Sequence, residues 1–150
     1  MQNTRRTLER VPFDKAAWKP HTKSTSMGGL ARHLTQLPGL GIPVLTMTAL
    51  DVAAERPQGE VSSTADLLKL FDKNVAAARK ALSDTPDADF RTPWTLNVGA
   101  KELWTLPRIA AWRGFVMNHI IHHRAQLGVY LRLNDVPVPG IYGPSADEGI

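Results

Sequence analysis

Apolar positions recur at helical spacing in three parts of the chain. After Ser26, a side chain suited to N-capping, Leu30, His33, Leu34 and Leu37 fall on one stripe before Pro38 and Gly39 interrupt it. His33 thus lies on an apolar stripe. A longer amphipathic run, TADLLKLFDKNVAAARKAL, opens behind Ser62, Ser63 or Thr64 as cap and sets Leu67, Leu68, Phe71, Val75, Ala78 and Leu82 on one face. The last run begins at Pro107, a proline suited to a first helical turn, and persists to about Leu133, ahead of Asn134, Asp135 and Pro137.

Between these runs the pattern weakens. Residues 3–10 read as the closing turns of a helix that Pro12 stops, and VPFDKAAWKPHTKSTS follows as a loop that pins Trp18. LGIPVLTMTALD continues the second helix as a kinked or restarted element, closed by a loop at residues 56–60. Residues 83–106 form a long irregular connection, with a short ribbon around WTLNVGAKELWTL turning at Asn97 to Gly99. The expected architecture is all-α: one domain over residues 1–150, an antiparallel four-helix bundle with a long irregular connection before the last helix.

Composition narrows the chemistry. At 150 residues and 43% hydrophobic the chain can bury one core. Without cysteine, disulfides, thiolate metal sites and cysteine nucleophiles are excluded. No apolar run reaches the roughly 18–20 residues that span a bilayer, and MQNTRRTLER lacks the apolar segment of a secretory signal. The expected setting is the cytoplasm, with no membrane partner. The net charge of +4 is local: Arg5, Arg6, Arg10, Lys15, Lys19, Lys23 and Arg32 face only Glu9 and Asp14 in residues 1–32, and the rest sums to −1. With no nucleic-acid fold signature beside it, this reads as a solvated basic surface rather than a specific nucleic-acid site.

The chemistry concentrates in NHIIHHRAQ. His119 and His123, four residues apart, share a helix face with Trp112, Val116, Leu127 and Tyr130, within reach of one ion. Such a pair arises by chance in about one chain in seven of this histidine content, so the third histidine decides. His33, on another apolar stripe, would leave a buried imidazole costing about 1–3 kcal/mol unless partnered. His122 points about 100° away, in a polar stripe with Asn118 and Gln126, where His122 and Gln126 are suited to supporting the ligands from behind or, for His122, to a subunit interface.

Two familiar mechanisms are excluded. Position 120 is Ile where a zinc-protease helix carries its glutamate base, and residues 103–134 contain no acid, against the carboxylates of a di-iron bundle. Arg108, Arg113, Arg124 and Arg132 instead favour an anionic small-molecule substrate, although each singly also fits a solvated surface.

WKPHTKSTSMGGLARHLTQLP and, far downstream, MNHIIHHRAQLGVYLRLNDVPVPGIYGPSADE resemble the DinB-like superfamily, in its damage-inducible branch. The resemblance spans nearly the whole chain and is most specific at H-x-x-H-H-R-x-Q-L with its tail. It implies a four-helix bundle holding one divalent transition metal, zinc or nickel, on His33, His119 and His123, and it implies a homodimer. It also implies a first helix shorter here than is usual in the family. Members of other branches are thiol transferases using bacillithiol and an isomerase using mycothiol, so a low-molecular-weight thiol is the implied co-substrate. An open position on a three-histidine metal suits such chemistry, because it activates a thiol or water without a carboxylate base.

No catalytic residue is assigned beyond the ligands. Trp94, Asn97, Trp104 and Tyr142 either line the pocket mouth or anchor loops, and His21 and Lys23 read as surface residues. The leading reading is a metal-dependent enzyme, a thiol-transferase-like protein. The alternative is a non-catalytic, metal-binding, stress-associated interaction module; a DNA-binding damage-response protein comes third.

Overall fold

Two serines start the helices on which the fold is hung. In the computed structural model, which describes residues 1–54 and 60–149, Ser26 Oγ accepts the Gly29 N–H at 3.2 Å and opens α2 (Met27–Gln36), which follows α1 (Gln2–Glu9). Ser63 Oγ accepts the Asp66 N–H at 3.1 Å and opens α4 (Thr64–Asp84). Each cap satisfies a backbone donor that the first turn leaves free. Between them, Pro38 and Gly39 tighten the chain into a 3₁₀ turn (Leu37–Leu40), and a short α3 (Gly41–Thr46) restarts the helix.

The long last helix is continuous but not uniform. It runs as α5 (Arg108–Ala111), a π-helical segment (Trp112–Asn118) and α6 (His119–Arg132). It ends where Asp135 adopts φ 58° and Asn134 Nδ2 donates to the Tyr130 carbonyl. Asp tolerates that left-handed conformation better than most residues.

α4 packs against α1 and α2, and α6 against the same two. Arg5 meets Asp72 while Val11 receives the Thr64 hydroxyl, so α1 and α4 run antiparallel. His33 meets His119 while Thr25 meets Tyr130, so α2 and α6 do too. The core between them is Leu8, Met27, Leu30, Leu34, Leu37, Leu67, Phe71, Val116, Ile120, Leu127 and Leu131. Each buried leucine side chain contributes about 1.5–3 kcal/mol relative to exposure.

The all-α expectation is corrected here. The molecule also carries a three-stranded mixed sheet, β1 (Ala49–Asp51), β2 (Pro93–Val98) and β3 (Lys101–Pro107), in the order β1-β2-β3. The WTLNVGAKELWTL ribbon is the antiparallel pair β2–β3, turning at Gly99 with φ 58°. β1 joins it in parallel, Leu50 opposite Leu96, out of the segment read as a helical restart. The sheet forms because Leu50, Trp94 and Leu96 need cover: all three are buried against the helices, and the Trp94 indole N–H donates to the Pro43 carbonyl at 3.0 Å. Pro107 closes β3 and caps α5, rather than standing inside the helix. Of the loop expected over residues 56–60, residues 56–59 lie outside the described residues. No described helix is long and apolar enough to cross a membrane.

The tail after α6 folds back on the bundle. Glu148 pairs with Arg6 and Arg10, Asp147 pairs with Arg132, and Asn3 donates to the Ile141 carbonyl. The ends of α1 and α6 are thereby tied together.

Candidate metal centre

His33 stands on α2, one turn past the Gly29–Leu30 start of its stripe, and faces α6 where His119 and His123 follow one another around a turn. Their Nε2 atoms converge: His33 to His119 is 3.3 Å, and His119 to His123 is 2.9 Å. One nitrogen from each ring lies within 4.8 Å of the others, and no second such group of three occurs among the described residues. All three imidazoles are partly exposed, so the cluster sits at the margin of the core and opens to solvent, not in its centre.

The far nitrogen of His123 is already committed. His123 Nδ1 lies 2.6 Å from Gln126 Oε1, and the Phe115 backbone lies close enough to the His119 ring to raise its pKa. An amide oxygen can only accept, so His123 carries a proton on Nδ1 and turns Nε2 toward the other two rings. Two imidazole nitrogens 2.9 Å apart need a proton or a cation between them. A proton is disfavoured on two of the three rings. Burial, then the neighbouring His123 and His119 rings, push His33 down to about 4. Burial, then His123, also lowers His119, against the Phe115 backbone contact, which raises it. A divalent cation fits. Nitrogens about 2.0–2.1 Å from one ion stand roughly 3 Å apart, and carbonyl or amide partners on the far nitrogens orient metal-binding histidines in this way.

Among the other residues singled out from the sequence, His122 is exposed and sets its ring 4.8 Å from that of His123, while Gln126 bonds His123 and not His122. Trp94 and Trp104 stand 5.5 Å apart, and both lie 5.9 Å from Phe115, whose ring is 6.2 Å from His119. Asn97 belongs to the sheet, its carbonyl accepting from Val52. Tyr142, 83% exposed, bonds Arg124 on another side of α6. His21 lies in an exposed turn, its Nδ1 accepting the Lys23 N–H.

Three of the four arginines of the last helix are engaged by the protein itself. Arg108 donates to the Leu45 and Met47 carbonyls, Arg124 to Tyr142, and Arg132 to Asp147. Phe115 was not among the sequence candidates, although its place four residues before His119 was the available signal. Two surface cavities, of about 330 and 250 Å³, lie elsewhere; they are lined from α6 by Ile120, Ile121 and Arg124, and from the π-helical segment by Trp112 and Val116. Neither includes a histidine. The chemistry of the donor set therefore outweighs cavity size in locating the site.

The model of the DinB superfamily matches residues 1–127. Two crystal structures share the fold. A DinB-like protein (YjoA) from Bacillus subtilis is 20% identical, with a TM-score of 0.74 over 93% of this chain and 90% of that one. A DinB-like protein from Bacillus cereus ATCC 10987 is 19% identical, with a TM-score of 0.69 over 94% and 89%. No curated protein matches the sequence.

Proposed function

The chain belongs to the DinB superfamily, and we propose that it is a metal-dependent enzyme, holding one divalent ion on His33, His119 and His123 and transferring a thiol or water nucleophile to a small electrophilic substrate. The observation that carries this reading is the convergence of three Nε2 atoms from two helices, His33 to His119 at 3.3 Å and His119 to His123 at 2.9 Å, with the His123 ring held from behind by Gln126. Zinc or nickel, held by His33, His119 and His123, would supply Lewis acidity that lowers the pKa of a thiol or water.

The chain's own groups supply the rest. Gln126 holds the His123 ring in its tautomer, and α2 and α6 set the spacing through the leucine core between them. Structural zinc sites are normally closed by four protein ligands, whereas the described residues offer three here. That favours a reaction over a purely structural ion.

Metal-loaded protein, given low-molecular-weight thiols (bacillithiol and mycothiol included) and a panel of model electrophiles, is expected to turn over well above a His119→Ala control. Equal rates across the panel contradict the reading.

A further inference from the structure

The histidine cluster is flanked by a continuous run of aromatic rings. Trp94 is fully buried and fixed through its indole N–H on the Pro43 carbonyl. Trp104, on the inner face of β3, is tilted 50° to it at 5.5 Å. Phe115 meets Trp104 edge to face at 5.9 Å and lies 6.2 Å from the His119 ring. Trp94 has no surface left to offer. Trp104 and Phe115 do, since both remain partly exposed, and β3 is an edge strand of the sheet. The other flank is polar: His122 and Gln126, both exposed.

We propose that Trp104 and Phe115 form the wall of a subsite beside the histidine centre that receives a flat aromatic portion of the ligand. The inference rests on the metal-site reading above and adds the chemical class of what that site takes. Aromatic rings favour edge-to-face and offset-stacked partners over saturated groups of equal size, and Trp94 behind the wall holds Trp104 in place to receive one. A saturated ring of the same bulk gains burial but not this geometry.

The test uses full-length protein loaded with cobalt(II), titrated with 2-phenylethanethiol and with 2-cyclohexylethanethiol. These two thiols match in length and nearly in acidity. Binding is read from the thiolate-to-cobalt absorption band. The phenyl compound is expected to bind about twofold to tenfold more tightly, and Trp104→Leu is expected to abolish that preference while leaving the cobalt ligand-field bands in place. Phe115→Leu provides the same test should Trp104→Leu not fold. Equal affinities in the wild type, or a preference that survives in the folded variant, overturn the aromatic subsite and leave the metal centre standing. A cobalt spectrum that is absent, or unchanged in His119→Ala, removes the metal centre and the subsite with it.

Discussion

The side chain that best separates a metal centre from a chance meeting of histidines is Gln126. Its Oε1 lies 2.6 Å from His123 Nδ1 and fixes which nitrogen faces the other two rings. Removing such a partner commonly lowers metal affinity about 10–100-fold. Gln126→Leu should weaken zinc binding in that range in a competition titration with a chromophoric chelator, and Gln126→Glu, still an acceptor, should retain it. A second expectation concerns protons. His33 falls from its ordinary 6.5 to about 4 in the folded chain, so between those values the unfolded chain binds the proton and the folded chain does not. Its contribution to stability is thus present above about pH 6.5 and lost as the pH falls toward 4. Denaturant midpoints of metal-stripped protein should drop across that window, and less steeply in His33→Ala. Identical slopes would contradict the assignment.

At the scale of elements, the caps were legible because their chemistry is local: Ser26 and Ser63 each bond an amide three residues on. The antiparallel ribbon was legible from its alternation and its glycine turn. β1 was not, because three residues become a strand only by parallel pairing with β2, more than forty positions downstream. The π-helical segment was also hidden, since seven residues are too few for a hydrophobic pattern to separate a wider turn from an ordinary one. Its place is marked by Gly41, where a Cβ would come within 2.3 Å of Trp112 Cζ3. Gly41→Ala should therefore displace the start of that segment and destabilise the protein by about 1–3 kcal/mol. Trp112→Leu should recover part of the loss, a non-additivity that a double-mutant cycle by chemical denaturation measures.

For the whole molecule, the sequence reading reached the helical framework, the family and the three histidines. It missed the strand that turns the ribbon into a sheet, because cover for Trp94 and Leu50 is a property of the assembled core and not of any one segment. The arginines of the last helix show the same limit. Their count pointed to an anion, but three of them are bonded to carbonyls, a tyrosine and the tail, which only the fold could reveal. The hydrophobic core is continuous without any of the three histidines, so the chain is expected to remain folded when the ion is absent. The central claim is therefore best tested by elemental analysis of protein purified without a histidine tag, alongside His33→Ala. The account predicts one divalent ion per wild-type chain, and a variant that keeps its helical circular dichroism while losing the metal. A folded His33→Ala protein with undiminished metal would contradict it.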